Sequence, residues 1–161
     1  MQDDDVYHFT VKDIDGQELS LAKFRGQALL IVNVASRCGH TPQYAGMESL
    51  YRKYHAQGLE VLGFPANEFA AEEPGSDAEI KAFCTSTYNV SFPMFSKLVA
   101  KGPGIHALYK FLTVDSPFPG EISWNFEKFL VSKDGRVIQR FSPKTKPESE
   151  AVVKAIETAL V

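Results

Sequence analysis

Cysteine is scarce in this sequence of 161 residues, which contains only Cys38 and Cys84. Two thiols are too few for the disulfide framework of a small secreted protein, and with four scattered histidines they match no zinc-binding spacing. A G-x-G-x-x-G fingerprint and a G-K-S/T phosphate loop are also absent from the sequence. We therefore predict no metal, flavin or nucleotide cofactor, which leaves sulfur as the only candidate redox centre.

Long hydrophobic runs and a strong net charge are missing as well. No segment approaches the roughly 20 apolar residues of a membrane span. The sequence begins MQDDDVYHF, which is acidic where a secretory signal needs basic residues. A net charge of −3 indicates neither nucleic acid nor an anionic membrane surface as a partner. We expect a cytoplasmic protein with reduced thiols, no nucleic-acid partner and no stable membrane insertion.

The hydrophobic patterns predict a single domain over residues 1–161. The run at 28–35 is apolar without alternation, which indicates a central strand covered on both faces. Ser76 and Glu79 have the spacing of a capping box at the start of a helix. The predicted strands are 6–11, 18–21, 28–35, 59–64, 126–131 and 137–141, and the predicted helices are 44–57, 76–87, 105–112 and a last one from 146 onward.

This order predicts an α/β protein with the thioredoxin fold. The strand–helix–strand segment in the first half requires a right-handed crossover and a parallel pair of strands. The late hairpin adds antiparallel strands, which gives a mixed central sheet with helices on both faces and an N-terminal β-hairpin. Ligands of such sheets gather at the carboxyl ends of parallel strands. Cys38 lies just past such an end.

Cys38 sits in the stretch NVASRCGHTPQYAG, where packing, metal binding, a disulfide or nucleophilic chemistry are the possible uses of a thiol. Free cysteines are commonly small buried hydrophobes. The neighbours from 36 to 40 are small or polar, however, and predict an exposed loop. The N-terminus of the next helix and the cation of Arg37 both favour the ionised thiolate. His40 is either an assistant to the thiol or a solvated loop residue.

Cys38 has no second cysteine nearby. Gly39, His40 and Thr41 follow it, so the C-x-x-C dithiol mechanism of a thioredoxin-like reductase is excluded. Residues 31–38 also lack the proline that precedes the reactive cysteine of a peroxiredoxin. A lone thiolate is suited to attack the weak O–O bond of a peroxide, which leaves a sulfenic acid for another thiol to reduce.

Three blocks then show a specific likeness that covers most of the chain: NVASRCGHTPQY around Cys38, LGFPANEFAAEEPGSDAEI at 62–80, and WNFEKFLVSKDGRVIQRFSP at 124–143. On these blocks the sequence resembles the glutathione peroxidase family, in its bacterial branch with cysteine in place of selenocysteine. The resemblance implies a thiol peroxidase that reduces hydrogen peroxide and organic hydroperoxides in oxidative-stress defence. A redox sensor that is oxidised once and turns over little is the alternative.

By position, the resemblance makes Cys38 the peroxidatic residue and places Trp124 and Asn125 beside its reactive atom. The fourth family residue is usually a glutamine, and Glu72 occupies that position here. A carboxylate near Cys38 would repel the thiolate. Glu72 therefore either points into solvent, accepts a proton during the attack, or stays protonated and donates as glutamine would.

Cys84 is the candidate for a resolving cysteine. In the thioredoxin-dependent branch that residue lies on the same helix, at the position of Thr85 here. Cys84 shares an apolar face with Ile80 and Phe83, which indicates a packed core thiol. If Cys84 is inert, glutathione regenerates the enzyme; if the helix unwinds and Cys84 joins Cys38, thioredoxin does.

The resemblance also bears on assembly. Tetrameric relatives carry an extra loop before the Trp-Asn pair, whereas only residues 113–123 precede it here. We therefore expect a monomer with an open site that admits bulky hydroperoxides, with Phe118 at its rim.

Overall fold

The computed structural model describes residues 5–161; residues 1–4, which entered the prediction of a chain without a secretory signal, lie outside the described part. The strands are β1 (Thr10–Lys12), β2 (Glu18–Ser20), β3 (Ala28–Val34), β4 (Leu59–Pro65), β5 (Lys128–Val131) and β6 (Val137–Phe141). The helices are α1 (Gln43–Tyr54), α2 (Asp77–Tyr88), α3 (Ala107–Lys110) and α4 (Glu150–Ala159), with short 3-10 turns at Leu21–Phe24 and His55–Gln57 and a π turn at Phe111–Asp115.

The central sheet is mixed and has the strand order β4-β3-β5-β6. Strands β3 and β4 run parallel, in register from Ala28 opposite Leu59 to Val34 opposite Pro65. Strand β5 runs antiparallel to both β3 and β6. Strands β1 and β2 form a separate antiparallel hairpin. The predicted mixed sheet and N-terminal hairpin are confirmed.

Helices pack against both faces of the sheet, and β3 and β4 are therefore buried along their whole length. Leu29 and Ile31 of β3 face a core shared with α3 and the hairpin, whereas Leu30 and Val32 face a core shared with α1, α2 and α4. This alternation follows from the pleat of a strand, which sends successive side chains to opposite faces. No helix of residues 5–161 combines the length and the hydrophobicity needed to cross a bilayer.

Some boundaries differ from those predicted. Helix α2 starts as expected, since Ser76 Oγ accepts from Glu79 N at 3.2 Å and Glu79 Oε1 accepts from Ser76 N at 2.9 Å. Helix α4 begins only at Glu150, because residues 143–149 form turns, with a hydrogen bond from Ser149 N to Lys146 O. Strand β5 begins at Lys128 rather than at 126, because Phe126 has a φ of 69° and interrupts the extended chain.

Candidate active site

A tight turn places Cys38 between the end of β3 and the start of α1. The hydroxyl of Thr41 accepts a hydrogen bond from Cys38 N at 2.9 Å and donates one to Ala35 O at 2.8 Å. The backbone closes the same turn with a bond of 3.0 Å from Thr41 N to Cys38 O. One threonine therefore fixes the backbone that carries the thiol at the carboxyl end of a parallel strand.

The sulfur of Cys38 is more enclosed than the sequence predicts. Its neighbours Arg37 and Gly39 are exposed as expected, but Cys38 itself is only 8% exposed and joins the core on the α1 face of the sheet. Its backbone is held by the Thr41 bridge, and its side chain packs with the apolar residues of that core. Sγ accepts a hydrogen bond of 3.3 Å from His40 N. Beside Gly39 the space is open: apart from its two chain neighbours, no residue has an atom within 4 Å of the position that a Cβ would take there.

Trp124 and Asn125 lie on a second turn, which is attached to the same end of β3. Asn33 is fully buried near the end of that strand. Its side-chain nitrogen donates to Trp124 O at 3.1 Å, and its backbone oxygen accepts from Phe126 N at 2.6 Å. The structure thus brings the Trp-Asn pair to the edge of the sheet where the Cys38 turn begins.

The two side chains of this pair differ in exposure. The indole of Trp124 is 37% exposed and meets the Phe69 ring edge-on at 6.2 Å. Asn125 is fully buried, and its Nδ2 donates to Glu72 Oε1 at 3.0 Å, while its Oδ1 has no protein partner. The indole is therefore open to a ligand, whereas the amide is oriented by a carboxylate.

Glu72 connects the two turns. Its backbone oxygen accepts from Arg37 N at 3.0 Å, next to Cys38, and its carboxylate accepts from Asn125. The side chain is half-buried and does not point freely into solvent. The structure therefore assembles the elements that carry all four predicted site residues at one edge of the sheet.

The next residue, Glu73, holds the same loop in place. It is fully buried, its Oε1 accepts from Ser36 N at 3.1 Å, and its own N donates to Asn67 Oδ1 at 2.9 Å. Burial raises the pKa of the Glu73 carboxyl, and the hydrogen bonds from Ser36 oppose that shift. Glu73 thus joins the loop that carries Glu72 to the segment before Cys38 through Ser36, and to Asn67 earlier in the same loop.

Cys84 occupies a different environment, in the core on α2. It is 2% exposed, and Ile80 one turn earlier on the helix is buried beside it, as the apolar pattern predicts. Burial raises the pKa of the Cys84 thiol to about 11, with the hydroxyl of the buried Tyr44 opposing the shift. Both cysteines are free thiols. In this conformation Cys84 is a protonated core side chain.

Three residues that build the site were not singled out in the sequence: Asn33, Thr41 and Glu73. The only signal for Asn33 is a polar residue within an otherwise apolar strand. Thr41 follows Cys38 at a spacing suited to a side-chain bridge across a turn. Among the described residues, no group of three or more His, Cys, Asp or Glu side chains could hold a metal ion.

Comparison with known proteins identifies the family. Residues 6–113 match the family model described as glutathione peroxidase. The chain is 47% identical to the thioredoxin/glutathione peroxidase BtuE of Escherichia coli, over 98% of both chains. It is 46% identical to the hydroperoxy fatty acid reductase gpx1 of Synechocystis, over 91% of both chains.

Solved structures agree with these sequence relatives. The crystal structure of T. cruzi GPX1 superposes with a TM-score of 0.75 at 35% identity, covering 97% of this chain and 96% of that one. A thioredoxin family protein from Chlorobium tepidum superposes with a TM-score of 0.70 at 16% identity, over 98% of this chain and 96% of that one, which shows the thioredoxin-like fold. The chain is a thiol peroxidase and belongs to the glutathione peroxidase family.

Proposed function

We propose that Cys38 is the peroxidatic residue of this thiol peroxidase. The thiolate attacks one oxygen of a hydroperoxide, the O–O bond breaks, and the departing oxygen takes up a proton to leave as water or an alcohol. Cys38 is oxidised to a sulfenic acid. One observation carries the proposal: Glu72 contacts both the backbone beside Cys38 and the amide of Asn125, so the thiol turn and the Trp-Asn turn meet there.

Trp124 and Asn125 act as hydrogen-bond donors in this scheme. An indole N–H can only donate, and an amide nitrogen offers two N–H groups. One amide N–H of Asn125 is engaged by Glu72, which leaves the second for the oxygen that carries negative charge as the O–O bond breaks. Preorganised donors of this kind stabilise a developing anion more than they stabilise the substrate.

Glu72 shuttles the proton. As a carboxylate it accepts the thiol proton, and it returns a proton to the leaving oxygen. Its contact with Asn125 and its partial burial support this role. We expect the pH–rate profile of Cys38 oxidation to differ between the wild type and Glu72→Gln, because the amide cannot carry the proton. The control is Glu121→Gln, an exposed carboxylate before the Trp-Asn turn. A Glu72→Gln profile identical to that of the wild type would discard the role.

An external thiol regenerates Cys38. Attack on the sulfenic acid forms a mixed disulfide and water, and a second thiol then releases reduced Cys38. The enclosure of Cys84 supports this route over an internal disulfide, because α2 must open before Cys84 can react. The E. coli relative is named for both thioredoxin and glutathione. Either of these two supplies the reducing thiol.

Mass spectrometry without reductant, after one equivalent of peroxide, tests whether Cys38 is reduced directly. A sulfenic acid that persists supports direct reduction, and a Cys38–Cys84 disulfide assigns Cys84 as resolving.

The substrates are hydrogen peroxide and organic hydroperoxides, reduced by a single domain over residues 1–161 that acts as a cytoplasmic monomer. The exposed indole of Trp124 and the short segment before it support a site that is open to bulky substrates. The Synechocystis relative is named for hydroperoxy fatty acids. Size-exclusion chromatography with light scattering measures the molar mass in solution and tests the expectation of a monomer.

Turnover separates the peroxidase from a sensor. Peroxide consumption is measured at steady state with glutathione and with thioredoxin plus its reductase, supplied in turn. We expect many turnovers per Cys38 with at least one of the two. A single stoichiometric oxidation with both would assign the sensor function instead.

A further inference from the structure

A lysine lies within the central sheet. Lys128 is the first residue of β5, paired with Val32 of β3 on one side and Phe141 of β6 on the other, and it is fully buried. Lysine is almost never fully buried unless its charge is compensated. The ammonium group therefore needs hydrogen-bond partners, which the apolar pattern of the strand does not predict.

Backbone oxygens from two segments form that partner set. Lys128 Nζ donates to Phe126 O at 2.7 Å, to Pro143 O at 3.3 Å and to Ser142 O at 3.4 Å. An ammonium group has three N–H donors, and each of them has one carbonyl here. We call these three oxygens the carbonyl cradle.

The shortest contact of the cradle supports the turn that carries the Trp-Asn pair. Phe126 follows Asn125 directly and has a φ of 69°, in the left-handed region that is strained for a bulky side chain. Such a conformation persists only when surrounding contacts impose it. Asn33 O holds the N–H of Phe126 from one side, and Lys128 holds its carbonyl from the other.

The other contacts connect this turn to the thiol side of the site. Pro143 O accepts from Lys128 and also from Gln43 Nε2, at 2.8 Å. Gln43 is the first residue of α1, which follows the Cys38 turn. One oxygen thus joins the Trp-Asn turn, through Lys128, to the helix that begins beside Cys38.

Opposing effects act on the charge of Lys128. Burial lowers the pKa of Lys128 to about 7, and the neighbouring carboxylate of Glu127 opposes that shift. Glu127 is itself engaged by Arg140 and by Ser123 N at 2.8 Å. The three carbonyl dipoles point their negative ends at the nitrogen, so the cradle favours the protonated lysine.

We propose that Lys128 is a positioning residue for peroxide reduction: through the carbonyl cradle it holds the Phe126 turn so that Trp124 and Asn125 face Cys38. It touches no reacting atom. The inference rests on the proposed roles of Cys38, Trp124 and Asn125, and it adds a buried cation to which the sequence motif assigns no role.

The test compares Lys128→Met, which keeps the length of the side chain and removes every donor, with the wild type. Two rates are measured on folded protein: oxidation of Cys38 by hydrogen peroxide, and alkylation of Cys38 by iodoacetamide, located by mass spectrometry. Oxidation uses the Trp-Asn donors, whereas alkylation needs mainly the thiolate. We expect oxidation to slow by about 10- to 100-fold and alkylation to change by less than about threefold.

Trp124 supplies an independent signal, because it is the only tryptophan of the chain. We expect a shifted emission maximum and altered quenching by acrylamide in Lys128→Met. The matched control is Lys133→Met, since Lys133, in the turn that follows the same strand, also donates to a carbonyl, Leu160 O at 3.0 Å. This control keeps the wild-type rates and emission.

A folded Lys128→Met with the wild-type ratio of the two rates and the wild-type emission would overturn the inference. If that variant does not fold, Lys128→Gln undergoes the same test: its amide is one bond shorter and has two N–H donors for three carbonyls, so a smaller slowing of oxidation is expected, and the wild-type ratio of the two rates would again overturn the inference. Failure of this inference is distinct from failure of the proposed function, because the latter shows as a wild type that does not turn over peroxide.

Discussion

The two cysteines belong to the same hydrophobic core but differ in what surrounds each sulfur. Cys38 lies on a turn, with a backbone N–H at its sulfur and open space beside Gly39. Cys84 lies inside a regular helix, and burial raises its pKa to about 11. Exposed fractions of 8% for Cys38 and 2% for Cys84 separate them poorly. The secondary structure separates them well, because a turn leaves backbone donors free to stabilise a thiolate whereas the interior of a helix does not.

Replacing each sulfur in turn gives the largest contrast. Cys38→Ser removes the nucleophile, and we expect peroxide consumption to fall by at least roughly 10³-fold. Cys84→Ser keeps a small buried donor, and we expect a change of less than about threefold. Consumption of hydrogen peroxide with excess reductant is the measurement for both. An equal loss in the two variants would end the distinction and make Cys84 part of the cycle.

The pH dependence of stability distinguishes Cys84 next. Its folded pKa of about 11 lies above that of an unfolded cysteine, so the folded state holds a proton that the unfolded state loses between about pH 8.5 and 11. The Cys84 contribution to stability is therefore complete below about pH 8.5 and is lost as pH rises through this window, by at most about 1.4 kcal/mol per pH unit.

Urea unfolding of the wild type and of Cys84→Ala across that range measures the effect. The lysines and tyrosines are common to both proteins, so the difference isolates Cys84. We expect the difference in unfolding free energy to shrink as pH rises. A difference that stays constant with pH would contradict a buried, protonated Cys84.

Thr41→Val perturbs the other cysteine. The substitution keeps the shape of the side chain but removes the hydroxyl that bridges Cys38 N and Ala35 O. Leaving these buried groups without partners costs about 1–3 kcal/mol, in stability or in the position of the thiol. We expect slower oxidation of Cys38 and unchanged protection of Cys84 against alkylation. Thr85→Val, at an exposed position of α2, is the control and changes neither.

Much of this arrangement was predictable from local patterns. The apolar runs of β3 and β4 and the capping box of α2 appear at their predicted places. The enclosure of Cys38 did not follow from its polar neighbours, because the core that surrounds it is built from residues distant in the sequence. The left-handed Phe126 lies in a run that is typical of a strand. Lys128 is compensated by oxygens of 142 and 143, which no short-range pattern connects to it.

Ser76→Ala gives the smallest effect and acts on Cys84 alone. The substitution removes the acceptor of the capping box, which costs about 1 kcal/mol at a helix N-terminus. Because α2 carries Cys84 and not Cys38, we expect faster alkylation of Cys84, by about fivefold, and an unchanged rate of Cys38 oxidation. Ser86→Ala, at an exposed position within α2, is the matched control and leaves both rates at their wild-type values. If Ser76→Ala also slows Cys38 oxidation, the two sulfurs are coupled through the loop of Glu72 and Glu73, and opening of α2 is then part of the catalytic cycle.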